Sequence, residues 1–168
     1  MATRAKVSKG EIDWAKMTLQ GQGKDDADQI DSSGSQQSNM AQIDLMLYKF
    51  IEHRQLFEFI EVYKVYLKGD QKLPVVPENL GGKTFLHLAV EHGATQIVSY
   101  LLLDAKVDPN VLSHNAQMGV LHVAVNFQRN DLIDLILMSE RIDINLMSSL
   151  HGTPLHLACK IGNLKIVQ

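Results

Sequence analysis

Apolar residues in the middle and C-terminal parts of the chain recur at intervals of three and four, the period of a helix with one buried stripe. Ile43, Met46, Leu47, Phe50 and Ile51 form one stripe, and Leu56, Phe59, Ile60, Tyr63, Tyr66 and Leu67 form a second. The pattern lapses at His53-Arg54-Gln55, which predicts two helices and a turn, with Gly69 placed to stop the second helix. Farther on, Leu86, Ala89 and Val90 predict a short helix that starts from the capping oxygen of Thr84 and ends at Gly93. Ile97, Val98, Leu101 and Leu102 predict a return helix, which Asp108-Pro109-Asn110 breaks. The same plan comes back with Leu121, Ala124 and Val125, then Leu132, Ile133, Leu135 and Ile136, then Asp143-Ile144-Asn145. Thr84 to Ile97, Gly119 to Leu132 and Thr153 to Ile166 are the same interval, so three helix pairs share one register.

Each pair opens on a recurring motif: Thr84-Phe85-Leu86-His87-Leu88-Ala89, Gly119-Val120-Leu121-His122-Val123-Ala124 and Thr153-Pro154-Leu155-His156-Leu157-Ala158. The histidines stand 35 and 34 residues apart. A Thr-Pro-Leu-His-x-Ala motif at such a period is the pattern of stacked ankyrin arrays, and on these residues the chain resembles the ankyrin repeat family. The resemblance implies an all-α fold, an ankyrin repeat solenoid of stacked helix-turn-helix pairs with hairpin-like loops. It also implies that Thr84, His87, His122, Thr153 and His156 are structural, hydrogen-bonding within and between turns. Gly119 has no hydroxyl, so the middle repeat is expected to lose one cap bond, a cost of about 1 kcal/mol.

The expected organisation is a disordered tail or linker over 1–40, a degenerate helical capping repeat over 41–80, and repeats over about 82–115, 116–149 and 150–168. The segment 41–80 lacks the motif but has the length of a repeat, and terminal repeats are atypical because one face meets solvent. An independent helical hairpin docked on the array would read the same way. The last repeat is truncated: Ile166-Val167-Gln168 matches Ile97-Val98-Ser99, halfway through the second helix. A fragment of a longer array, a truncated gene product, or a partner covering the open edge would each account for the absence of a polar cap.

Composition narrows the function. The stretch 21–39 is Gly, Gln, Asp and Ser with few apolar side chains, too little to offset its ordering entropy. Trp14, the only tryptophan, lies in the tail, either as a chance aromatic or as a short docking motif. Sixteen Lys and Arg against nineteen Asp and Glu give a net charge of −3 without a basic stripe, which argues against nucleic acid. A single cysteine, Cys159, rules out an intrachain disulfide and fits a reducing compartment, so the expectation is a cytoplasmic or else nuclear protein. Apolar runs such as Tyr100-Leu101-Leu102-Leu103 are too short to insert in a membrane. The basic start of the chain lacks the apolar segment of a secretory signal, and Glu11 and Asp13 weaken an organelle-targeting reading.

Candidate chemistry is sparse. Equivalent residues of stacked helices lie about 10 Å apart, whereas zinc holds nitrogens at about 2 Å, so His87, His122 and His156 do not share a metal. Gly81-Gly82-Lys83-Thr84 resembles the end of a phosphate-binding loop but lacks its first glycine and the preceding strand. Cys159 occupies an apolar helix position and is expected to be a small core residue. No catalytic, metal or cofactor site is assigned, and the protein is expected not to be an enzyme.

What remains is binding to other proteins. The resemblance implies a groove made of loop tips and outward positions of each first helix. Matched position by position, the helix residues are Glu91 and His92, Asn126 and Phe127, and Lys160 and Ile161. The tip residues are Asn79, Leu80 and Lys83, then His114, Asn115 and Met118, then Ser149, Leu150 and His151. Gln117 and His151 stand where a turn glycine is usual, so the second and third tips are expected to bend differently. Phe127, Ile161, Met118 and Leu150 are apolar at positions often polar, an adhesive strip with Phe127 as its anchor; packing against neighbouring loops would explain them equally well. The expected function is therefore a non-enzymatic scaffold or adaptor. The alternative is a regulatory N-terminal module of a larger kinase, lipid-transfer protein or channel, with further repeats or an active domain beyond Gln168.

Overall fold

The computed structural model describes residues 32–68 and 82–167. Eight helices lie within them: α1 (Ser32–Glu52), α2 (Leu56–Lys68), α3 (Phe85–His92), α4 (Thr95–Ser99), α5 (Val120–Asn126), α6 (Asn130–Leu137), α7 (Pro154–Ile161) and α8 (Leu164–Val167). α4 runs on into one π-helical turn, Tyr100–Asp104, closed by the Ala105 amide donating to Tyr100 O at 2.9 Å.

The helices form two rows. The first helices of the pairs stack as α3, α5 and α7, and the second helices as α2, α4 and α6. Short helices of this kind are not stable alone, so the stripe buried between rows holds them: Leu86, Ala89, Val90, Ile97, Val98 and Leu101 in one pair, Leu121, Ala124, Val125, Leu132 and Ile136 in the next. An aromatic group ties α2 to this core. Tyr63 stacks on Phe59 and meets Phe85 and Tyr100 edge-on, with ring centroids 5.3, 6.4 and 6.3 Å apart. Leu47 and Ile51 of α1 are fully buried in the same core.

All four helix pairs turn in one way. At Arg54, Gly93, Gln128 and Gly162 the backbone is left-handed, with φ of 56°, 68°, 53° and 76°. Each of these amides donates to the carbonyl three residues back, and the following amide to the carbonyl five back, as in Gly93 N to Val90 O at 3.1 Å and Ala94 N to Ala89 O at 2.8 Å. This is a Schellman-type stop, which satisfies helix carbonyls that would otherwise lack donors. The pair α1–α2 uses the same two bonds at Arg54 and Gln55, although its sequence carries no repeat motif.

Two expectations change. The helix begins at Ser32, inside the segment 1–40 expected to be tail or linker. Once packing around Leu47 and Ile51 fixes α1, each residue added at its N-terminal end gains a hydrogen bond without a new nucleation cost. Residues 1–31, including Trp14, and the tip residues Asn79 and Leu80 lie outside the described residues. Of the two atypical tips, Gln117 adopts the left-handed conformation of Gly82, with φ of 49° against 70°. The third tip does differ: the positive φ falls on Gly152 rather than His151, and Ser148 pairs with Gly152 in a one-residue-shorter loop than that between Ser113 and Met118. That deletion is why the histidine steps are 35 and then 34.

A left-handed conformation costs an L-residue roughly 1–2 kcal/mol that glycine avoids. Gln128 carries that cost on an exposed turn where the flanking repeats have glycine. Gln128→Gly is expected to stabilise the fold by about 1 kcal/mol, read as a higher urea midpoint with unchanged slope. An unchanged or lower midpoint would show that the turn is not strained.

Candidate functional site

Each tip-to-helix junction is organised by its histidine. Thr84 caps α3: its Oγ1 accepts from the His87 amide at 3.3 Å and lies 2.7 Å from His87 Nδ1, which also accepts from the Thr84 amide at 3.3 Å. A carbonyl can only accept, so His87 Nε2 is the protonated nitrogen; it donates to Met118 O, in the next tip, at 2.9 Å. The neutral Nε2–H tautomer satisfies every one of these contacts, whereas a proton on Nδ1 would face the Thr84 N–H. His122 repeats the arrangement, accepting from the Gly119 amide at 3.3 Å and donating from Nε2 to Gly152 O at 2.9 Å. Burial of the ring pushes the His87 pKa down from 6.5 to about 4, and burial likewise lowers that of His122.

Gly119 leaves α5 without a side-chain cap, as expected. A Cβ at Gly119 would lie 2.5 Å from Leu146 Cδ2, the end of a flexible side chain in the later loop of the same repeat.

His156 departs from its expected role. It keeps the cap end, with Thr153 Oγ1 2.7 Å from Nδ1, but the ring is exposed and its Nε2 meets no partner among the described residues. Cys159 is exposed too, not a core residue.

Polar side chains that the sequence reading passed over join the repeats at their other ends. Arg54 NH2 donates to His92 O at 3.1 Å and Arg129 NH2 to Glu91 O at 2.8 Å, so two guanidiniums from the adjoining turns face the carbonyl end of α3, where positive charge is favoured. In the loops, Arg141 donates to the carbonyls of Lys106 and Val107 at 2.9 and 3.3 Å. Asn110 donates to Arg141 O at 2.7 Å and accepts from the Asp143 amide at 2.8 Å. The shared Asp-x-Asn spacing of 108–110 and 143–145 was the available signal: Asp108 and Asp143 each accept from the Asn amide two residues on, at 2.9 Å.

The expected binding residues divide into two groups. Asn126 and Lys160 are exposed, Phe127 is 41% exposed at the end of α5, and Leu150 is 63% exposed on the third tip. The others are occupied. Glu91 pairs with Lys83, which places the lysine of the phosphate-loop-like stretch in an ion pair. His92 meets Tyr48 edge-on at 5.5 Å. Met118 and Ile161 are half-buried against the core, since both side chains fall on the stacked side of their elements. A shallow depression lined by Arg54, Gly93, Ala94, Thr95, Gln96 and Ile97 gathers none of the expected residues.

Comparison with known proteins follows the same repeats. Residues 81–114 match the family described as "Ankyrin repeat", and residues 121–168 match "Ankyrin repeats (many copies)". Among solved structures, the chain is similar to the ankyrin repeat domain of Bcl-3, described as a unique member of the IkappaB protein family. The TM-score is 0.64 at 22% identity, covering 73% of this chain and 53% of that one. The chain thus spans about half the length of that domain. No curated protein matches.

Because the folded-state pKa of His87 lies below the unfolded value, its contribution is complete above pH 6.5 and is lost as pH falls toward 4. The expected loss is about 3 kcal/mol for His87, with His122 acting in the same direction. Urea unfolding between pH 7 and pH 4 measures it, and a flat profile over that interval would contradict the assignment.

Proposed function

The chain is an ankyrin repeat protein, and from that premise we propose that it is a non-enzymatic adaptor that binds partner proteins through the tips and first helices of its repeats. Ankyrin repeats generally mediate protein–protein interaction and are typically not catalytic. The observation that carries the reading is the exposed set at the tip and helix positions. Phe127 and Leu150 are large exposed apolar side chains, and Asn126 and Lys160 are exposed polar ones, the residue types that protein interfaces combine as apolar anchor and polar rim. Met118 and Ile161 are half-buried against the core. Glu91 and His92 contribute their outer edges, since each already has a partner within the fold.

The pair α1–α2 is proposed as the cap of the array over 41–68, supported by its shared turn geometry at Arg54. Among the described residues no helix is long and apolar enough to cross a membrane. With a single cysteine and no charge stripe, the cytoplasm is the proposed setting.

Affinity capture with the wild-type chain and with Phe127→Ser and Leu150→Ser tests the reading. Partner retention is expected to fall by about tenfold or more for Phe127→Ser, with the melting temperature little changed because the ring is already in part solvated. Equal retention by both variants and the wild type would sink the proposal.

A further inference from the structure

The second helices carry apolar side chains on the side turned away from the stack. Leu103 is 55% exposed and Met138, at the same register one repeat later, 76%. Leu103 belongs to a pair flanked by other pairs on both sides, so its exposure marks an outward position and not an end of the array. One turn earlier on the same helix faces, Tyr100 and Leu135 are half-buried against the core. The charges around this patch are mostly of one sign. Over 95–108 and 130–143, six exposed carboxylates stand against two cations, Lys106 and Arg141, and the Arg141 guanidinium is held by the carbonyls of Lys106 and Val107. In the π-helical turn Asp104 is exposed, where Ser139 at the same register after α6 is buried. Asp104 lies near Tyr100, whose phenol pKa is raised by burial first and then by this carboxylate. Asp134 shares the outer face of α6 with Met138, one turn away. Neither Asp104 nor Asp134 forms an ion pair with a described residue.

We propose that this outer face of α4 and α6 docks a basic amphipathic helix of a partner protein. Neighbouring packed helices lie about 8–10 Å apart, and residues i and i+7 of a helix are about 10 Å apart along its axis. A helix laid across α4 and α6 therefore sets two apolar residues of one stripe on Leu103 and Met138. Lysine or arginine beside that stripe meets Asp104 and Asp134, which fixes the orientation and speeds encounter. A second copy of this chain docked by the same face would bring acidic surface against acidic surface. The face belongs to the second helices, whereas Phe127 and Leu150 stand at the end of a first helix and on a tip. The inference therefore stands apart from the partner site proposed above.

The probe is a synthetic fluorescent helical peptide with leucines at i and i+7 and lysines on both flanks, its binding to the full chain read by anisotropy. Saturable binding is expected, weakening as salt is raised. The affinity is expected to fall by about tenfold or more for Leu103→Ser combined with Met138→Ser, and for Asp104→Asn combined with Asp134→Asn. Melting temperatures are expected to be unchanged, since all four side chains are exposed, and Phe127→Ser is expected to leave the peptide affinity as it is. In the wild-type chain, amide shifts on adding peptide are expected to cluster on 100–108 and 131–140. No saturable binding, binding equal to that of the same peptide with glutamate for lysine, or shifts clustered on the tips overturns the proposal. So does self-association of the chain that Leu103→Ser with Met138→Ser abolishes, which would make a second copy the occupant.

Discussion

The imidazole of His87 joins two repeats with its two nitrogens. Nδ1 receives the start of its own helix from Thr84, and Nε2–H reaches the carbonyl of Met118 in the following tip. Burial raises the worth of both bonds, because an unmade polar contact in the interior costs more than a made one gains. It also fixes the protonation state. A ring held between a backbone N–H and a carbonyl has room for one proton, on Nε2, and desolvation keeps the second away. His122 extends the same bond to Gly152, so the spacing between successive tips is set twice by one chemical device.

The rest of the architecture follows from keeping that spacing. Helices too short to persist alone are stacked in two rows, with Schellman turns satisfying the carbonyls at one end and Arg54 and Arg129 adding charge where α3 finishes. On the loop side Arg141 and Asn110 join successive connections. Because every junction is polar at both margins and apolar between, a repeat presents a defined set of needs to its neighbour. Phe127 and Leu150 lie outside this set of internal bonds.

Much of this was legible in the sequence. The 3.6-residue stripes located the helices, and the register of Thr84, Gly119 and Thr153 located the repeats, because the same buried positions must be apolar in each copy. The roles of Thr84, His87 and His122 followed from the resemblance, not from spacing alone. What stayed hidden depended on neighbours distant in sequence. Ile161 and Met118 look outward in a linear reading but rest against the core, whereas Cys159 and His156 hold the register of buried residues and are exposed. Arg54, Arg129 and Arg141 act on backbone carbonyls more than 30 residues away, and a carbonyl leaves no mark in sequence. The start of α1 at Ser32 was missed because its polar residues carry no stripe; they lengthen a helix that packing elsewhere has already nucleated.

The account rests on His87 and His122 being neutral, Nε2-protonated rings in the folded chain at ordinary pH, with burial keeping His87 neutral well below it. Nitrogen-15 NMR of the imidazoles measures this directly, since the two ring nitrogens differ in shift between tautomers and protonation states. The account predicts unprotonated Nδ1 and protonated Nε2 for both rings at pH 7.5, and still for His87 at pH 5.5, with Nε2–H couplings across the hydrogen bonds to Met118 O and Gly152 O. A His87 ring that is doubly protonated at pH 5.5 in the folded protein, or either ring carrying its proton on Nδ1, would contradict it.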